Sequence, residues 1–348
     1  MTNIPNTIDD VTAEWVAEAT GLAVTAIESE VIGEGLGVNS SVYRLHLQGD
    51  DVPETLVLKL KALDEAAVFT SMMMQMYARE VKFFDELADR SPIRVPKGYG
   101  SAVSDDGGSL YLLMEDMGSC RAVSQTEGLE IADAERAIDQ LAAWHAAFWG
   151  GADRFVESGA ALSLNHELYQ GVLPMVFTEG WEKLRAEIEL HPTVSEVAPQ
   201  WVATLPKLLA ALTESPTTIC HGDYRADNIL FDDNGDVVLL DFQLTSLGSA
   251  AYDVAYFVTQ SLKPELAAEH ERPLFNRYIA ALVNAGIPES DTAQLWDHYR
   301  TAALFCLVYP IVGARGMDMS DDAQRELVLA SSQGCARAID DLDLRDLL

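Results

Sequence analysis

Three oxygen-bearing side chains stand at set intervals in the stretch His221-Gly222-Asp223-Tyr224-Arg225-Ala226-Asp227-Asn228-Ile229-Leu230-Phe231 and in Leu239-Leu240-Asp241-Phe242-Gln243 beyond it. Asp223, Asn228 and Asp241 offer a carboxylate, an amide and a second carboxylate. The runs 228–231 and 236–240 are apolar and β-prone, and Asp232-Asp233-Asn234-Gly235 between them is a strong turn signal, so a short hairpin is expected. A hairpin of that size brings the three residues to one end of a small sheet. Asn228 and Asp241 then supply hard oxygen ligands suited to Mg²⁺, which takes one or two carboxylates together with substrate phosphates. Asp223 is left to act on a hydroxyl. Together this is the equipment for phosphoryl transfer from ATP: Asp223 as general base or aligning group, Asp241 bridging metal to the β- and γ-phosphates, and Asn228 on a second ion. Arg225, two residues past Asp223, could neutralise charge on the transferring phosphoryl group; its alternative is an ion pair with Asp227 or Asp253.

The order H-x-D-x-x-x-x-N followed by D-F is that of the protein-kinase catalytic loop and metal-binding Asp. Two departures point away from protein kinases: Gly222 replaces the Arg of H-R-D, and Gln243 replaces the Gly of D-F-G. About a dozen residues separate Asp241 from Asp253, and no A-P-E follows, which leaves no room for an activation loop or a peptide-docking surface. The string resembles instead the aminoglycoside phosphotransferase/choline kinase superfamily, whose loop reads H-G-D-x-x-x-x-N. The segment LLDFQLTSLGSAAYDVAYF is most similar to the ecdysteroid-kinase-like branch. HGDYRADN looks more like the phosphotransferase domains fused to some acyl-CoA dehydrogenases. The resemblance runs from about Ile32 to Phe257 and does not reach the last ninety or so residues.

What the resemblance implies upstream falls in the matching order. Gly33, Gly35 and Gly37 lie between two strand candidates, where glycine lets backbone N–H groups approach a polyphosphate. Asn39, Ser40 and Ser41 resemble the polar tip of the superfamily's phosphate loop. Lys59 and Lys61 share one face of the next strand; Lys59 is preferred for the α- and β-phosphates because LVLK resembles the strand-Lys motif. Glu80 resembles the helix Glu that pairs with that Lys. The segment 111–117, with Met114 and Glu115, resembles the hinge that reads adenine through backbone groups, Met114 walling the pocket. His221 is expected to anchor the loop, and Asp253 resembles the buried Asp that braces it. The implied cofactors are ATP and Mg²⁺, with the nucleotide in a cleft between two lobes.

Length and composition agree with two cores. The chain has 348 residues, 49% of them hydrophobic, enough for about two lobes. Strand patterns at 27–33, 41–47, 55–61, 99–103 and 110–115, with a helix opened by Thr7-Ile8-Asp9-Asp10 and ended by Gly21 and another at 66–88, describe a small α+β lobe. Helical periodicity follows at 133–148, 162–190, 195–212 and from 250 onward. The expected fold is therefore α+β, a bilobal protein-kinase-like arrangement with a β-rich N-lobe (1–117, ATP-binding) and a helical C-lobe (118–348, catalytic and substrate-binding). A net charge of −32 disfavours a nucleic-acid or anionic-membrane partner. No apolar run is long enough to insert in a bilayer, the start lacks signal-peptide features, and four scattered cysteines form no metal spacing. A cytoplasmic setting is expected.

The expected partner is a small-molecule hydroxyl substrate. Tyr169, Phe177, Trp181, Trp296, Tyr299, Phe305 and Tyr309 lie on the later helices, and most of them are expected to be core. If several line the cleft, the acceptor is a lipophilic or steroid-like alcohol rather than an aminoglycoside. The alternatives are a hydroxyacyl-CoA, an aminoglycoside or choline-like acceptor, or a nucleotide-binding module without catalysis. The last predicts loss of Lys59, Glu80, Asp223, Asn228 or Asp241, and all five are present.

Overall fold

The structure, a computed structural model, describes residues 3–32 and 39–348. Gly33, Gly35 and Gly37 lie outside the described residues. The chain forms two compact units: residues 1–90 with 95–120, and residues 91–94 with 121–348.

In the first unit the order is α1 (Ala13–Thr20), β1 (Val24–Val31), β2 (Ser40–Gly49), β3 (Thr55–Lys61), α2 (Glu65–Met73), α3 (Met76–Glu86), β4 (Gly98–Val103) and β5 (Leu110–Glu115). The strands make one antiparallel sheet in the order β1-β2-β3-β5-β4. The first helix starts later than its acidic residues suggest. Thr7 and Asp10 close a 3₁₀ turn over Ile8–Asp10, and α1 starts behind the Thr12 hydroxyl, which accepts from Trp15 N. The central strand β3 is buried on both faces. Leu56, Leu58 and Leu60 pack with Val16, Leu45 and Leu113 in the main core, and the alternation sends Val57 and Lys59 the other way.

The helix expected over 66–88 is two helices. Gln75 takes a left-handed φ of 54° between α2 and α3, and the buried Arg79 Nη2 donates to the freed carbonyl of Met74 at 2.9 Å. The methionine run cannot share one face: Met74 and Met76 are buried, Met73 is exposed.

The second unit holds β6 (Arg121–Ala122), α4 (Ile131–Ala147), α5 (Asp153–Ser158), β7 (Leu162–Ser163), α6 (Glu167–Glu187), α7 (Pro192–Ala211), β8 (Thr218–Cys220), β9 (Ile229–Phe231), β10 (Val237–Leu239), β11 (Ser246–Gly248), α8 (Ala251–Ser261), α9 (Pro264–Asn284), α10 (Glu289–Thr292), α11 (Leu295–Phe305), α12 (Val308–Gly313) and α13 (Asp322–Asp341). Two three-stranded sheets, β10-β9-β6 and β7-β11-β8, sit among these helices. Leu162, expected to open a helix, instead pairs with β11, and α6 begins five residues later. Every residue of α8 is buried, and α13 passes so close that a Cβ at Gly334 would lie 1.9 Å from Thr259 O. The class is α+β, with an antiparallel β-sheet N-lobe and a helical C-lobe. Among the described residues no helix is long and apolar enough to cross a membrane.

A buried ion pair in the sheet unit gives a stability test. Lys59 Nζ lies 2.7 Å from Glu80 Oε1, and both side chains are almost fully buried. Glu80→Ala removes the carboxylate 2.7 Å from a buried ammonium and is expected to lower unfolding free energy by about 3 kcal/mol, with Glu80→Gln costing less. An unchanged urea midpoint for Glu80→Ala would contradict this account of the pair.

Candidate active site

The loop 221–228 is held from below by one carboxylate. Asp253, fully buried on α8, accepts from His221 N at 2.6 Å and Gly222 N at 2.9 Å. His145 Nε2 lies 3.1 Å from the same carboxylate, and its Nδ1 lies 2.7 Å from Tyr278 OH. His145 is thus a satisfied core histidine. Cys220, at the end of β8, donates its thiol to Ser249 O. Burial, then the charge of Asp253, pushes that thiol well above its ordinary pKa. His145, Cys220 and Asp253 lie close together, but their polar atoms are taken up by these bonds, and the group serves as a brace.

Gly222 must be glycine. Its φ is +86°, and a Cβ there would lie 2.1 Å from Leu244 O. The Arg of H-R-D has no place in this turn. The His221 ring accepts from Asp223 N through Nδ1 at 3.2 Å and reaches Leu240 O through Nε2 at 2.9 Å. This assigns the proton to Nε2 and ties the two chemical segments together.

The hairpin forms as expected: β9 and β10 pair antiparallel, Ile229 opposite Leu239. Leu240 N donates to Asn228 O at 2.9 Å, so Asp241 follows directly from the residue bonded to Asn228. Asp241 itself has a φ of +61°, a conformation that Asp tolerates better than most residues. Gln243 Nε2 lies 3.3 Å from its Oδ2. Phe242 is buried between the rings of His221 and Trp144. On the other side, Ser246 of β11 pairs with Cys220 of β8. Each end of the loop is therefore fastened to a strand.

The Asp223 carboxylate has two side-chain hydrogen-bond donors and one ion-pair partner. Tyr256 O–H meets Oδ1 at 2.6 Å, and Arg225 Nε lies 3.2 Å from the same oxygen. Asn228 Nδ2 donates to Oδ2 at 2.8 Å and to the Asp223 carbonyl at 2.9 Å. Arg225 also pairs with Asp227 at 2.6 Å and donates to Gln125 Oε1 at 2.6 Å. Burial works to lower the Arg225 pKa, but the charges of Asp223, Asp227 and Asp241 outweigh it and raise it. Asp227 Oδ1 accepts from Gln125 N at 2.8 Å.

Sequence reasoning did not place Gln125 or Tyr256 here. Tyr256 lies one helical turn past Asp253, which is the signal that could have found it. Burial first, then the Asp223 charge, pushes its phenol well above the usual range, so it is the donor. Tyr309 stacks on Tyr256, centroids 3.9 Å apart, and donates to Gly222 O at 2.9 Å; its hydroxyl also meets that of Tyr252. Tyr169, Phe177, Tyr299 and Phe305 are buried, and Phe177 and Tyr299 stack on Trp201 and Trp296.

In the first unit, Lys59 turns inward to Glu80, whereas Lys61 is partly exposed, with Nζ 3.4 Å from Asn6. Ser40 and Ser41 open β2, opposite Lys61 and Leu60. Asn39 O accepts from the Tyr77 hydroxyl at 2.7 Å. On β5, Met114 is partly exposed, and Glu115 N donates to Lys97 O.

Residues 34–299 match the model of the APH family, the phosphotransferase enzyme family, and the chain belongs to that family. It is a small-molecule phosphotransferase, that is, a small-molecule kinase. No curated protein matches the sequence. Solved structures share the fold. The GDP complex of wild-type aminoglycoside 2'-phosphotransferase-IIIa superposes with a TM-score of 0.58 at 13% identity, over 91% of this chain and 95% of the other. Choline kinase LicA from Streptococcus pneumoniae gives 0.54 at 14%, over 93% and 96%. Macrolide 2'-phosphotransferase MphH from Brachybacterium faecium gives 0.50 at 16%, over 91% and 95%. The bilobal kinase-like class is that of these proteins.

The brace sets the site's stability. Asp253→Ala leaves two buried N–H groups without their acceptor, at about 1–3 kcal/mol each. The expected loss exceeds that of Asp253→Asn, which keeps one acceptor oxygen. Equal urea midpoints for the two variants would contradict the role of the second oxygen.

Proposed function

We propose that the chain transfers the γ-phosphoryl group of ATP, with Mg²⁺, to a hydroxyl of a small molecule. The observation that carries this reading is the knot in which Asp223, Asn228 and Asp241 are joined through His221 and Leu240. By giving its Nδ2 to Asp223, Asn228 turns its Oδ1 away from that residue. An amide oxygen and the Asp241 carboxylate are hard donors that fit Mg²⁺. Bound by these two residues, the ion would offset charge on the β- and γ-phosphates.

The remaining roles belong to the chain itself. Asp223 aligns the acceptor hydroxyl and takes its proton. Arg225, fixed by Asp223 and Asp227, keeps a cation beside the transferring group. His221 and Asp253 hold the loop. Lys59, oriented by Glu80, addresses the α- and β-phosphates. The glycine run with Asn39, Ser40 and Ser41 supplies the phosphate loop, and the Met114–Glu115 segment the adenine contact. The GDP complex of the aminoglycoside enzyme supports nucleotide use.

For the acceptor we favour a lipophilic or steroid-like alcohol, and the ecdysteroid-kinase-like branch, on the resemblance of segment 239–257. Tyr309, partly exposed and stacked on Tyr256 beside Asp223, supports a ring-bearing acceptor. A second reading has its own observation. A cavity of about 650 Å³ lies beyond Gln125, and Glu265, Asp322 and Glu326 line it together with Lys263 and Arg325. Carboxylates near the loop suit an amine-bearing acceptor such as an aminoglycoside.

Three variants test the assignment of roles. Asp223→Asn is expected to cut turnover by about 10²–10⁴-fold while Mg·ATP affinity stays near wild type. Asp241→Ala is expected to abolish Mg²⁺-dependent ATP binding and turnover together. Asn228→Ala is milder, because water replaces a neutral amide in part. Calorimetry ranks the last two; weaker binding by Asn228→Ala than by Asp241→Ala would overturn the choice of principal ligand.

A further inference from the structure

We infer that Tyr256 is a positioning residue for phosphoryl transfer, holding the Asp223 carboxylate so that Oδ2 alone meets the acceptor hydroxyl. The inference rests on the reading of Asp223 given above and assigns the carboxylate's two oxygens different tasks. Oδ1 has Tyr256 O–H at 2.6 Å and Arg225 Nε at 3.2 Å. The phenol's hydrogen bond and the guanidinium charge paired beside it commit Oδ1. Oδ2 has one donor, Asn228 Nδ2 at 2.8 Å, and keeps one site open.

The phenol is built to stay where it is. Tyr256 is 3% exposed. Its ring lies on that of Tyr309, interplanar angle 13°, and Tyr309 is bonded to Gly222 O of the loop itself. Asp253 and Tyr256 stand one turn apart on α8, so one helix face holds both the loop's backbone and its reacting side chain. Without the phenol, the carboxylate can turn about χ2, a torsion with a broad profile.

This suits an acceptor-aligning role better than a strongly basic one. In a loose transition state the attacking oxygen needs aim more than early deprotonation. The hydroxyl oxygen forms the new O–P bond. The bond from the γ-phosphorus to the bridging oxygen breaks, and its electron pair leaves with ADP. The hydroxyl proton passes to Asp223 Oδ2.

The test uses the full chain and basal Mg·ATP hydrolysis, with water as the acceptor. Tyr256→Phe is expected to lower kcat about tenfold, the scale of one hydrogen bond to a charged group, with Mg·ATP Kd unchanged by calorimetry. Combined with Asp223→Ala, it is expected to add nothing, because the phenol acts only through that carboxylate. An unchanged kcat for Tyr256→Phe, or effects that multiply in the double variant, would overturn the inference while leaving the role of Asp223 intact. Wild-type hydrolysis by Asp223→Ala would overturn both. Loss of Mg·ATP binding in Tyr256→Phe would also overturn the inference, because the phenol would then hold the nucleotide site as a whole rather than aim the carboxylate.

Discussion

A single buried carboxylate sets the geometry of the catalytic segment. Asp253 accepts the N–H groups of His221 and Gly222, and a loop with a positive φ at Gly222 has no regular ladder of its own to satisfy them. Buried backbone donors need an acceptor, and here a helix side chain supplies it. The arrangement extends along α8: Tyr256 reaches the Asp223 carboxylate, Gln260 Oε1 accepts from Gln125 at 2.9 Å, and Ser261 Oγ accepts from Ala226 N at 2.9 Å. A wholly buried helix thus presents a polar stripe to one loop, and every hydroxyl and amide named here has a partner.

The two small sheets do the complementary work. β9–β10 ties Asn228 to Leu240, and β8–β11 ties Cys220 to Ser246. His221 crosses between the two segments through its ring. The main chain at Asp223, Asn228 and Asp241 is therefore fixed on both sides, and side-chain bonds then aim the Asp223 carboxylate. A site for phosphoryl transfer gains from this, because its catalysis is mostly positioning and charge.

Much of this was legible in the residues. Asp-Asp-Asn-Gly between two apolar runs marked the hairpin, since turn chemistry is local. Alternation on β3 placed Lys59 and Lys61 together, but the burial of Lys59 against Glu80 depends on a helix packed from elsewhere in the chain. The break at Gln75 was hidden because the apolar pattern continues across it; the deciding contact is Arg79 to Met74 O. Leu162 read as helical because a two-residue strand has no period. Most of the aromatic residues on the later helices are core, as expected, and composition alone does not distinguish an interior ring from a pocket ring. Tyr256 was overlooked because its partner is thirty-three residues away in sequence.

The most direct measurement follows the phosphoryl group itself. The full chain is incubated with γ-labelled ATP, Mg²⁺ and separate panels of sterol-like alcohols, hydroxyacyl-CoA esters, choline-like alcohols and aminoglycosides. Products are read by mass for an added phosphoryl group. The expected result is Mg²⁺-dependent label on a hydroxyl of one panel, strongest among the lipophilic alcohols, and its loss in Asp223→Asn. Label transfer that persists undiminished in Asp223→Asn, or that needs no divalent ion, would contradict the assignment of this loop as the catalytic centre.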